Sequence, residues 1–253
     1  MGLKEFMSQN FQSSKNFGDK MRHIAFIPIR DGSKRIPLKN VKPMAGKPLA
    51  LWSIEAASGC DLIDEVIVAV DSDRIVKGLG EICNPKVRIE WVEEMHDKCM
   101  QEDRMIPFAQ SNTNFDTITL LQATSPLTTP DDLYGAIKMF ELSHLEDIPY
   151  DSIISVCRQK RLLWHVDEGY AKPINYNPRK RQREQEWDGL IVENGCFFLT
   201  TRSALLNSCC RMSGRIGLYE MAPENYIQAD EGYDWLLLET ILMDRMKNGF
   251  GDS

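Results

Sequence analysis

Arg30, Lys34, Arg35 and Lys39 crowd into one short stretch of a chain whose formal net charge is −7. They follow at once on the apolar, β-branched residues 24–29, a run that predicts a fully buried strand. Gly32 permits a tight turn and Ser33 adds a hydroxyl. In open α/β sheets, ligands bind outside the carboxyl ends of the strands, which is where this loop falls. A triphosphate carries about four negative charges, so its site needs several cations and close backbone amides. The stretch therefore reads as an anion-binding loop for a nucleoside triphosphate, the alternative being a solvated basic loop. It is not a P-loop, because the pattern G-x-x-x-x-G-K-S/T is absent.

The elements that must position this loop alternate between strand and helix. Strands are expected at 23–29, 65–70, 87–92, 117–122, 152–156, 193–200 and 216–221. A helix is expected at 48–57, stopped by Gly59. Another, capped by Ser72, should reach Ile82. Residues 93–116 are polar, with a helix in the middle. Thr129-Pro130-Asp131-Asp132 is a strong helix start: a capping hydroxyl, a proline at the first position and two acids against the positive end of the dipole. Short and long helices follow from Arg202 and from after Gly232. This order implies an α/β, three-layer Rossmann-like fold with a mostly parallel sheet. Residues 158–192 are charged and aromatic, broken at Lys172-Pro173 and Asn177-Pro178, and read as an arm or insertion. Residues 1–21 read as a flexible tail before a single domain at 22–250.

The 253 residues are 43% hydrophobic and 26% charged, as in ordinary globular chains. The acidic balance argues against a nucleic-acid binder, which needs a broad basic face. No apolar run approaches the roughly 20 residues that span a bilayer, and the start lacks a secretory core, so no membrane partner and a cytoplasmic location are expected. Seven scattered cysteines with no CxxC pair read as reduced thiols, and four scattered histidines offer no metal motif.

Several ordered motifs carry a resemblance to a known family. They are Ile27-Pro28-Ile29-Arg30-Asp31-Gly32-Ser33-Lys34-Arg35-Ile36-Pro37-Leu38-Lys39-Asn40, the turn Gly46-Lys47-Pro48-Leu49, and Leu121-Gln122-Ala123-Thr124-Ser125-Pro126. Two more are Gln185-Glu186-Trp187-Asp188-Gly189 and Glu193-Asn194-Gly195. Together they resemble the CMP-sialic acid synthetase (N-acylneuraminate cytidylyltransferase) family over roughly residues 22–246, the last two segments looking more like the animal-type enzymes than the bacterial ones. The resemblance implies a nucleotide-diphospho-sugar transferase fold, CTP and a sialic-type nine-carbon acid sugar as substrates, Mg²⁺ as cofactor, and a homodimer whose arms complete each other's sites. It also implies that the phosphatase-like C-terminal domain of the vertebrate enzymes is lacking here.

Residue by residue, the resemblance implies that Arg30, Ser33 and Lys39 meet the phosphates and Asn40 the nucleoside. Gln122, Arg183, Gln185 and Asn194 would meet the sugar. A guanidinium fork suits a sugar carboxylate, which fits Arg183, and Gln122 ends a buried strand, where its amide needs a partner. The family's closing Asp-x-Asp pair is Gln228-Ala229-Asp230 here. Asp230 is thus the expected Mg²⁺ ligand, with Asp71 offering a further oxygen, although Asp230 also suits the N-cap of the last helix. The arginine that the family places near residues 90–98 has no clean counterpart, since Arg88 is offset. The expected reaction is transfer of CMP from CTP to the anomeric hydroxyl, releasing pyrophosphate, with Arg30, Lys39 and Asp230 as its catalytic groups. The alternatives are another acid sugar (Kdn, Kdo or a legionaminic-type acid) or a non-catalytic nucleotide- or sugar-binding protein.

Overall fold

The computed structural model describes residues 20–33, 35–93, 99–145 and 149–248. The expectations for residues 1–19, for Lys34 and for residues 94–98 fall outside the described residues. The strands are β1 (His23–Ile29), β2 (Pro43–Met44), β3 (Lys47–Pro48), β4 (Ile63–Val70), β5 (Val87–Trp91), β6 (Thr117–Leu121), β7 (Ser152–Gln159), β8 (Trp164–Asp167), β9 (Tyr170–Pro173), β10 (Leu190–Thr201) and β11 (Ile216–Met221). The α-helices are α1 (Leu49–Gly59), α2 (Asp73–Leu79), α3 (Glu102–Ser111), α4 (Pro130–Ser143), α5 (Arg202–Ser208) and α6 (Gly232–Asn248).

Seven strands form one sheet in the order β11-β7-β10-β6-β1-β4-β5. Every neighbouring pair is parallel except the two made by β10, which runs antiparallel to both β6 and β7. Because strand side chains alternate between faces, Ala25, Ile27 and Ile29 of β1 pack in one cluster with Ala50 and Ile54 of α1 and Leu133 and Ile137 of α4. Ile24 and Phe26 pack in another with Met105 and Phe108 of α3 and Leu205 of α5. That is the three-layer arrangement. No helix among the described residues is long and apolar enough to cross a membrane.

Local chemistry sets the ends of these elements. Ser72 caps α2 by accepting the amide of Ile75 at 3.3 Å. Helix α2 stops at Leu79, short of the expected Ile82, because Gly80 takes φ +74°. Thr129 and Asp132 form a complete capping box at the start of α4. His23 is a core residue, its ring bonded to Thr117 Oγ1 at 2.6 Å and Glu141 Oε1 at 3.2 Å. The arm contains a hairpin of β8 and β9, turned by Glu168 (φ +50°) and Gly169 (φ +83°). Arg158, Gln159 and residues 190–192 lie within the main sheet instead, paired between β7 and β10.

Candidate active site

At the carboxyl edge of β1 and β6, a cavity of about 240 Å³ opens between the loop after β1, the turn after β6, helix α3 and the segment before α6. Arg30, Ser33, Lys39 and Asn40 line it from the first loop, and Gln122 and Thr124 from the second. Gln228 and Asp230 close it from the segment before α6, and Gln101 and Arg104 from the start of α3.

The loop after β1 is held by its own side chains. Asn40 is buried and donates through Nδ2 to the carbonyl of Arg30 at 3.1 Å. Leu38 takes φ +52°, turning the chain into a short 3₁₀ segment that carries Lys39 and Asn40. The amide of Asp31 donates to Asp71 Oδ1 at 3.0 Å, and the Asp31 carboxylate receives the Ser72 hydroxyl at 3.1 Å and pairs with Arg74 at 3.3 Å. Asp71 thus anchors the loop to the end of β4 and is not among the residues lining the cavity.

The segment before α6 is held against the turn after β6 by the amide of Ala229, which donates to the Thr124 carbonyl at 2.8 Å. Lys39 Nζ meets Asp230 Oδ1 at 2.9 Å, so the loop after β1 and the segment before α6 are joined inside the cleft. The capping alternative for Asp230 gives way to a different arrangement. Asp234 accepts the amides of Glu231 and Asp230, leaving the Asp230 side chain to the cavity. Gln228 donates through Nε2 to the carbonyl of Asn194 and accepts the Thr124 hydroxyl at 3.4 Å. Gln122 lines the cavity, and its side-chain amide has no hydrogen bond among the described residues. An amide half-buried at a cleft without a partner is set for a ligand.

Besides Asp71, three more of the expected residues do not join this cluster. Asn194 is buried, its Nδ2 spent on Cys157 Sγ at 3.2 Å and Met221 Sδ at 3.3 Å and its Oδ1 on the amide of Cys196. Its backbone carbonyl, rather than its side chain, serves the cleft by holding Gln228. Arg183 and Gln185 sit exposed in the arm, outside the cavity lining. Gln101 and Arg104, in turn, went unread in the sequence. Arg104 is 9% exposed on the α3 face that also buries Met105 and Phe108. A cation amid an apolar helical stripe was the available signal. Burial pushes its guanidinium below the usual arginine range, the charge of Arg30 adds to that effect, and Asp71 opposes it.

Among the described residues Asp230 is the only carboxylate in the cavity lining, against the three cations Arg30, Lys39 and Arg104. Among the described residues no three His, Cys, Asp or Glu side chains gather to cage a metal ion. One half-exposed carboxylate beside a neutral amide oxygen does fit Mg²⁺, which binds through one or two carboxylates plus substrate phosphates rather than in an all-protein cage. It does not fit a two-metal site.

The cytidylyltransferase family profile matches residues 24–221. An N-acylneuraminate cytidylyltransferase of Oncorhynchus mykiss is 34% identical over 229 residues, covering 89% of this chain and 51% of the relative. N-acylneuraminate cytidylyltransferase A of Danio rerio is 35% identical over 225 residues, covering 87% and 51%. A Streptococcus agalactiae N-acylneuraminate cytidylyltransferase is 27% identical over 222 residues, covering 85% and 52%. The chain spans about half the length of the curated relatives it matches. Among solved structures, a CMP:2-keto-3-deoxy-manno-octonic acid synthetase complexed with CTP superposes with TM-score 0.68 at 17% identity, over 88% of this chain and 99% of that one. A 4-diphosphocytidyl-2C-methyl-D-erythritol synthase from Anaerococcus prevotii gives 0.63 at 11%, over 88% and 96%. At these identities the two structures establish the shared fold.

Proposed function

The chain belongs to the cytidylyltransferase family, and from that premise we propose that it transfers CMP from CTP to the anomeric hydroxyl of an N-acylneuraminate-type acid sugar, releasing pyrophosphate. The observation that carries this reading is the cleft itself: among the described residues, three cations and a single carboxylate gather at the carboxyl edge of β1 and β6, beside the Gln122 amide, which has no partner there. The relatives named N-acylneuraminate cytidylyltransferases, matched over most of this chain, support the choice of sugar.

In this reading Arg30, Ser33 and Lys39 hold the triphosphate and neutralise the charge that grows on the α-phosphate and the leaving pyrophosphate. Positioning and electrostatic stabilisation are then the main catalytic effects. Asn40 fixes the loop on which those groups stand. Gln122, at the end of β6, orients the sugar beside the α-phosphorus. Asp230 would hold Mg²⁺, with the Gln228 amide oxygen beside it. The ion, when bound, supplies Lewis-acid neutralisation of phosphate oxygens. We further infer a homodimer in which Arg183 and Gln185 of one arm reach the sugar end of the partner's cleft. Their exposure outside this chain's own cavity supports that, as do the exposed Trp164, Val166, Tyr170 and Ile174 elsewhere in the same arm. A cytoplasmic location fits seven cysteines that form no disulfide among the described residues.

The test is pyrophosphate release from CTP and Mg²⁺ with N-acetylneuraminate, Kdn or Kdo, with the other nucleoside triphosphates as controls. Release with CTP and N-acetylneuraminate is the expected result. Release with Kdo alone assigns the rival sugar, and CTP binding with no release on any acid leaves a nucleotide-binding protein that does not catalyse.

A further inference from the structure

Arg104 is a buried cation that forms no salt bridge among the described residues. Its side chain lines the same cavity as Arg30 and Lys39, yet the residue is only 9% exposed. Its one side-chain hydrogen bond among the described residues is from Nη1 to Gln101 Oε1 at 3.2 Å, to a neutral group. Among the described residues no carboxylate forms a salt bridge with it, and Asp230, the one described carboxylate lining the cavity, is taken by Lys39 at 2.9 Å. Burial above all holds the Arg104 guanidinium below the usual arginine range, the charge of Arg30 adds to that, and Cys99, Asp71 and Asp103 offset only part of it. Burying a charge is costly unless it is paired, and two guanidiniums facing one cavity repel unless an anion lies between them. Four of the five guanidinium N–H donors remain for a ligand once Gln101 has taken one.

We propose that Arg104 is a phosphate-binding residue of this chain: together with Arg30 it clamps the triphosphate of the bound nucleotide from the α3 side. A planar fork of donors matches phosphate oxygens better than a ribose or a pyrimidine edge. Gln101 is the positioning residue that holds the fork toward the cavity. The charge that was sought in the sequence near residues 90–98 is therefore supplied from the first turn of a helix farther along the chain. This inference rests on the nucleotide-binding reading above.

The experiment is calorimetric titration of the full chain with CTP and, separately, with cytidine, both in Mg²⁺ without sugar, for wild type, Arg104→Gln and Arg104→Lys. Arg104→Gln is expected to weaken CTP about tenfold or more and to leave cytidine unchanged. The unfolding temperature of the ligand-free variant should equal or exceed that of wild type, because an uncompensated buried charge has been removed. Arg104→Lys should fall between the two, since an ammonium lacks the fork, and it provides the measurement if Arg104→Gln fails to fold. Wild type that binds CTP while both variants bind it equally well overturns the Arg104 assignment alone. Equal weakening of CTP and cytidine overturns the phosphate contact, and a lowered unfolding temperature with unchanged CTP affinity marks a structural tie. Wild type that ignores CTP overturns the nucleotide reading and this inference with it.

Discussion

Lys39 and Asp230 stand 191 positions apart in the chain and 2.9 Å apart in the fold. Their pairing places a phosphate-type cation and a metal-type carboxylate at the same point of the cleft. Each neutralises the other in the fold, and under the proposed function a nucleotide and its ion would take their place as partners. Lys39 is 15% and Asp230 43% exposed at the side chain, so the pair is partly screened by solvent and breaking it should cost about 1 kcal/mol, the upper end for exposed ion pairs. The catalytic consequence is much larger. Lys39→Ala is expected to cut pyrophosphate release roughly 100-fold, the scale of losing one charge-stabilising donor, while shifting the urea midpoint hardly at all. A variant that turns over normally would remove Lys39 from the phosphate site, and one that unfolds early would make it a structural residue.

Strand β10 shows how an element fixes a site from behind. Its pairing with β7 changes register between Glu193 and Phe198, and Gly195 lies within that irregularity at φ +68°. The bulge turns the Asn194 side chain into the core and its carbonyl toward Gln228. A Cβ on Gly195 would lie 2.3 Å from Gln228 Nε2. Gly195→Ala therefore meets both an unfavourable backbone angle, at about 1–3 kcal/mol, and a collision with the segment carrying Asp230. Denaturant unfolding should report that loss of stability, and a Mg²⁺ titration should show a weaker apparent metal affinity in the folded fraction. An unchanged metal titration would separate the bulge from the site. The glycine of the Glu-Asn-Gly motif is thus explained by backbone geometry, and the asparagine beside it by its partners in the core.

At the scale of the whole molecule, the β8–β9 hairpin forms a sheet of its own beside the seven-stranded one. It leaves Trp164, Val166 and Tyr170 at 50%, 69% and 75% exposure. An apolar surface of this kind marks an interaction face. If two copies meet there, Val166→Asp should shift the sedimenting species from dimer to monomer. The same change should abolish sugar-dependent pyrophosphate release and leave CTP affinity as in wild type, because the nucleotide groups all lie in one chain and Arg183 and Gln185 would come from the other. A monomeric wild type, or a monomeric variant with full activity, would overturn the shared-site arrangement.

What the sequence by itself determined lies in contiguous stretches. The apolar run of β1, the capping box of α4 and the dense cations of the first loop are legible because buried strands, helix starts and anion loops are made by neighbouring residues. The alternation of strand and helix was enough for the layered fold for the same reason. The antiparallel course of β10 and the β8–β9 hairpin left weaker traces, as β10 does not alternate cleanly between apolar and polar residues and the two hairpin strands are only four residues each. Only the tertiary structure decided which distant side chains share the cleft. It brought Asp230 to Lys39, set Asp71 behind the loop, sent the Asn194 amide into the core and aimed Arg104 at the cavity. These outcomes depend on which face of a helix meets which edge of the sheet, and on where one strand bulges, and packing across the whole domain determines both.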